Sequence, residues 1–89
     1  MSTVALLLER LRTSGTFVAL RGPYRLEAAS GRPGAICFTL QEIGEQGAQI
    51  TLGEGFSLHG RLIFEQHTLP EHEIERIILR ILSPEPALA

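Results

Sequence analysis

Two arginines four positions apart, Arg21 and Arg25, bracket a Gly22-Pro23 turn and the ring of Tyr24. A guanidinium is a planar, permanently charged fork that bonds phosphate in pairs and stacks on flat rings. Arg21-Gly22-Pro23-Tyr24-Arg25 is therefore the candidate anion grip of this chain, suited to a phosphate with a base stacked beside it. The spacing alone is weak, because eight arginines among 89 residues produce such pairs by chance. His59, His67 and His72 are the candidate metal ligands. A metal needs three or four ligands converging on one point, and neither an HExxH run nor a cysteine pair is present. The histidines read as ordinary surface residues.

Other chemistry is poorly supplied. Aspartate is absent, and Glu42, Glu45 and Glu54 fall in or beside loops, where carboxylates are normally solvated. No Gly-x-Ser-x-Gly nucleophile turn occurs. Gly53-Glu54-Gly55 has the glycine spacing of a phosphate loop, yet no helix follows to point its amides at an anion, so it reads as a turn. Cys37 lies in the apolar run Ala35-Ile36-Cys37-Phe38 and reads as a small buried hydrophobe. The expectation is a protein that is not an enzyme, with no cofactor and no metal.

Composition narrows the class. A chain of 89 residues holds one domain, residues 1–89, and a domain this small has a modest core that a partner or a second copy can reinforce. The net charge is -2, and the arginines are spread among ten glutamates, which argues against a duplex nucleic-acid binder. Single-strand binding on a β-surface would need more than five aromatic residues and a less acidic balance. One cysteine cannot close an internal disulfide, so a reducing, cytoplasmic setting is expected. The opening Met1–Leu8 run lacks the basic region of a signal peptide, Glu9-Arg10 ends it early, and no segment is long enough to span a membrane.

The elements that would position these residues follow from periodicity and punctuation. Val4, Leu7, Leu8 and Leu11 recur at helical spacing, predicting a helix over residues 3–14 stopped by Gly15. Strands are expected over 16–20 and 24–28, either side of the Gly22-Pro23 turn, and again from Ile36, where Ile36, Phe38 and Leu40 alternate with polar positions. Ala48, Ile50 and Leu52 begin a fourth strand. After a loop at Gly53–Gly55, Phe56, Leu58, Leu62 and Phe64 mark the fifth and longest, with Gly60 inside it at a bulge or barrel corner. Thr68-Leu69-Pro70-Glu71 has the form of a capping box, and Ile74, Ile77, Ile78 and Ile81 give the stripe of a second helix, with Arg76 and Arg80 opposite. Ser83-Pro84 ends it, and residues 84–89 are expected to be a frayed tail. The fold class is α+β: an N-terminal helix, about five antiparallel strands forming a curled sheet or small barrel, and a C-terminal helix. The expected core includes Leu7, Leu11, Val18, Ile36, Phe38, Ile50, Leu58, Leu62, Phe64, Ile74, Ile77 and Ile81.

The middle of the chain resembles a family. Arg21-x-x-x-Arg25, followed by a strand-rich stretch and Glu42-Ile43-Gly44-Glu45-Gln46-Gly47, is similar to a shortened, degenerate PilZ domain over roughly residues 20–66. The resemblance implies a small β-barrel that binds cyclic di-GMP, with Arg21, Arg25 and Gly47 as binding residues. Glu42 stands where that motif carries Asp or Asn, and Gly44 where it carries a serine that contacts the ligand. The start of the chain, through Leu7-Leu8, Leu11, Gly15, Gly22 and Leu26, is also similar to the docking domains that open nonribosomal peptide synthetases, which implies protein–protein contact. The leading expectation is a non-catalytic interaction or adaptor module, a homodimer or a partner of another protein. The alternative is a PilZ-like sensor of a cyclic dinucleotide or phosphate through Arg21 and Arg25.

Overall fold

The computed structural model describes residues 3–12, 15–31 and 35–83. The elements are helix α1 (Thr3–Leu11), strands β1 (Thr16–Arg21), β2 (Tyr24–Ser30), β3 (Ile36–Ile43), β4 (Gln49–Leu58) and β5 (Arg61–His67), and helix α2 (Glu71–Leu82). A 3-10 turn, Glu45–Gly47, joins β3 to β4. Every strand pairs antiparallel with the next, in the order β1-β2-β3-β4-β5. The fold class is α+β as expected, and of the two forms expected for the sheet it is the curled one, open, with β1 and β5 as its two edges, rather than the barrel. No helix among the described residues is long and apolar enough to cross a membrane.

Both helices cover one face of the sheet, called here the inner face. Val4, Leu7 and Leu11 of α1 and Ile74, Ile78, Ile81 and Leu82 of α2 close over Leu26, Ala28, Ile36, Phe38 and Leu40. Phe38 and Phe64 meet edge to face, with ring centroids 5.5 Å apart, a favoured aromatic geometry. The helices come from opposite ends of the chain yet run side by side in the same direction. Thr3 Oγ1 donates to Glu75 Oε1 (3.0 Å) near their starts, and Arg10 donates to the Leu82 carbonyl (3.1 Å) near their ends. The second bond puts a cation on one of the carbonyls that a helix C-terminus leaves without an intrahelical donor.

Strand β4 runs unbroken through Gly53-Glu54-Gly55, so the loop expected there is replaced by continuous pairing. The glycines do not break the chain because the sheet needs them for close approach. A Cβ on Gly53 would sit 2.5 Å from Ile74 Cδ1 of α2, and one on Gly55 would strike the Ile63 backbone carbonyl. The register shifts twice here, just before Gly53 and between Glu54 and Gly55. Leu52 is the extra residue between Gly53, opposite Leu40, and Thr51, opposite Gln41. Glu65 is the extra residue between Phe64, opposite Gly55, and Gln66, opposite Glu54. Such bulges bend a strand and increase its twist, which curls the sheet.

These shifts change which side chains are inside. The chain instead turns at His59-Gly60, where φ is positive at both residues (53° and 76°), as a two-residue type I′ hairpin requires. Gly60 is thus a turn residue, and the single strand expected over 56–65 is the hairpin of β4 and β5. Gly53, Gly55 and Ser57 face inward, so Phe56 and Leu58 face outward. Leu58, Val18 and Ile50, all expected in the core, are exposed, and Leu62, Phe64 and Ile77 are partly buried at its margin. Leu8 is exposed because α1 rests on the sheet through Val4, Leu7 and Leu11. The helix predicted over 3–14 ends at Leu11, whose carbonyl accepts from Gly15 N–H (3.0 Å); residues 13–14 lie outside the described residues, as do 84–89 with the expected tail. The capping box is not formed: Pro70 is the N-cap of α2, and Thr68 Oγ1 donates to the Leu52 carbonyl (3.3 Å).

Two substitutions separate these constraints. Gly53→Ala meets the movable end of an isoleucine and is expected to cost about 1 kcal/mol. Gly55→Ala meets backbone in a paired strand and is expected to cost about 3 kcal/mol, at the upper end of overpacking. Urea unfolding monitored by circular dichroism measures both, and equal losses would contradict the difference in what each Cβ meets.

Candidate functional site

Arg21 and Arg25 diverge because four positions in this hairpin span a turn. Arg21 pairs with Tyr24 beside the turn, whereas Arg25 lies opposite Leu20, so successive side chains place them on opposite faces of the sheet. Arg21 lies on the inner face and donates to the Ser83 carbonyl (3.3 Å) just past the end of α2. Arg25 lies on the outer face, where it reaches Gln41 Oε1 (3.2 Å) and Glu27 Oε1 (3.4 Å). Gly47 ends the 3-10 turn and is exposed; its N–H donates to the Gly44 carbonyl (3.2 Å). The Ile43 N–H bonds to the Pro23 carbonyl (2.7 Å), so the β1–β2 turn and the β3–β4 connection share one end of the sheet. Arg25, Glu42 and Gly47 lie toward that end, but Glu42 is in register with Tyr24 and Arg21 on the inner face, whereas Arg25 is on the outer face.

The histidines do not converge. His59 lies in the β4–β5 turn, His67 Nδ1 meets the Leu69 carbonyl (2.8 Å), and His72 is on the exposed side of α2. No group of three or more His, Cys, Asp or Glu able to hold a metal is present among the described residues.

Sequence reasoning missed the outer face of the sheet. Along one register row, Thr16, Ala29, Cys37, Phe56 and Ile63 lie side by side across all five strands. Val18, Glu27, Thr39, Glu54 and Gln66 form the next row, and Leu20, Arg25, Gln41 and Thr51 the one after. Exposure is high for large apolar side chains on this face: Leu20 67%, Val18 51%, Leu58 45% and Ile63 39%. Between β1 and β3 the surface dips into an open depression of about 450 Å³, lined on this face by Thr16, Val18, Glu27, Ala29, Cys37 and Thr39. Cys37 is exposed there rather than buried, because its neighbours Ile36 and Phe38 take the inner face. The alternation of Ile36, Phe38 and Leu40 around Cys37 was the available signal, since it sets Cys37 on the side opposite those core residues.

The chain matches no family model, no curated protein and no solved structure.

The position of Cys37 is directly testable. Its thiol is expected to react fully with a disulfide reagent in the dilute, folded protein, whereas a buried thiol would react only after denaturant is added. Absorbance of the released thiolate reports the outcome.

Proposed function

We propose that the protein is a non-catalytic protein-interaction module that associates with copies of itself. The observation that supports this is the outer face, where Leu20, Val18, Leu58 and Ile63 are exposed on the side of the sheet away from the helices. Exposed apolar surface gathered on one face marks a contact site. A domain of 89 residues, with one layer of helices on one face of its sheet, has a limited core, and association adds to its stability by mass action. Size-exclusion chromatography with light scattering is expected to give a mass of at least two chains at high concentration, falling on dilution. A single-chain mass over the whole concentration range would remove self-association.

A second reading, the PilZ-like sensor of a cyclic dinucleotide, has one observation in its favour. The Pro23–Ile43 bond brings the β1–β2 turn, with Arg25 just beyond it, to the same end of the sheet as Gly47. Under that reading cyclic di-GMP gives a calorimetric signal that Arg25→Ala abolishes, and absence of heat with the unaltered protein ends it.

A further inference from the structure

The two edges of the sheet are unlike. The β5 edge carries an extra residue at Glu65 and the charges of Arg61 and Glu65, features that blunt an edge against further pairing. The β1 edge, Thr-Phe-Val-Ala-Leu-Arg, pairs with β2 in unbroken register and has no proline and no charge before its last residue. It also carries Leu20 and Val18, two of the most exposed large apolar side chains among the described residues.

The register shows which backbone groups β1 offers. Ser30 N–H donates to the Gly15 carbonyl (2.8 Å), making Gly15 and Ser30 a bonded pair. Bonded and non-bonded pairs alternate along an antiparallel ladder, so Phe17 and Ala19 turn their N–H and C=O groups toward β2. Val18 and Leu20 turn theirs away from it, to the open side. No described residue bonds to the backbone of either.

We infer that the β1 edge binds the β1 edge of a second copy of this chain, antiparallel about a two-fold axis at Ala19, so that one sheet runs through both molecules. This rests on the self-association proposed above and says where it occurs. The occupant is a second copy because the edge is complementary to itself. With the axis at Ala19, the outward-facing Val18 meets the second copy's Leu20, and Leu20 meets the second copy's Val18, each as a bonded pair. Their side chains then pack across the seam on the outer face, where directly opposed apolar pairs stabilise a sheet.

In this register each row across the seam carries charges of opposite sign on the two β2 strands. Leu20 is opposite Arg25 and Val18 opposite Glu27 within one chain. Pairing about Ala19 therefore makes each row across the seam run from Arg25, through Leu20 and Val18, to the second copy's Glu27. A shift of the axis to Val18 would place Glu27 of both copies in one row. The outer faces of the two copies join into a single open surface, and Cys37 remains uncovered.

Hydrogen exchange read residue by residue, together with the mass in solution, tests this. Val18 and Leu20 amides are expected to exchange slowly at concentrations where the dimer forms and quickly where dilution gives monomer. Val18→Pro removes an outward donor without removing a bond to β2, and is expected to abolish the dimer mass. As a check independent of that variant's folding, Ala19→Cys on a Cys37→Ser background is expected to form a disulfide across the axis under mild oxidation. Residues opposite each other in a non-bonded pair have their Cα atoms about 4.5 Å apart, within disulfide reach. A dimer with fast Val18 and Leu20 exchange and with Cys37 protected would overturn the edge pairing while leaving self-association standing. A protein that is always monomeric overturns both. A monomer whose Val18 and Leu20 amides are slow assigns the edge to a segment of its own chain and overturns the pairing.

Discussion

The seating of α2 on the inner face of the sheet, with Ile74 over Gly53 of β4, is the interaction on which the rest of the structure depends. Ile74 is fully buried, and the isoleucine reaches the sheet because position 53 has no side chain. With α2 seated there, its stripe of Ile74, Ile78, Ile81 and Leu82 joins the core of the inner face, and its end lies where Arg21 of β1 bonds to Ser83. β-Branched isoleucines do little for an isolated helix, so α2 owes its stability to this seat. Helix α1 then occupies the remaining inner surface beside it, tied through Thr3–Glu75 and Arg10–Leu82.

The same stretch of β4 bends the sheet. The two register shifts fall just before Gly53, at Leu52, and between Glu54 and Gly55, at Glu65, so curling and helix seating are coupled at one place. Ser57, the next inward residue, is buried and accepts the Ile36 N–H through its hydroxyl (3.0 Å). A side chain thus satisfies a buried donor where β3 begins, as an unpaired N–H there would be costly. Beyond Leu52, which is itself in the core, the inward positions Gly53 and Gly55 lack side chains because Ile74 of α2 and the Ile63 backbone occupy the space. Phe56 and Leu58, later in the strand, are carried on the other face.

Placing both helices on one side leaves the outer face and the two sheet edges uncovered by either helix. They are not equivalent. The β5 edge is interrupted and charged, while the β1 edge is regular and apolar, with Leu20 and Val18 beside Arg25 and Glu27. Arg25 serves this face through Gln41 and Glu27, and Arg21 serves the inner face through Ser83. Two residues that look like one motif along the chain therefore belong to different surfaces.

Local signals determined much of this protein. Helical spacing located α1 and α2, Gly22-Pro23 located the first hairpin, and the alternation of Ile36, Phe38 and Leu40 located both β3 and its buried side. These succeed because periodicity and turn chemistry act over a few residues. Only the tertiary structure decided the faces of β1, β4 and β5. Gly53-Glu54-Gly55 has the composition of a loop, but a helix distant in sequence needs the space, and pairing continues through it. One extra residue in a strand reverses the side-chain parity beyond it, which moved Leu58 outward and Ser57 inward. Val18 alternates as a core residue does; it is exposed because the helices lie on the opposite side, a choice made by long-range packing that no local pattern records.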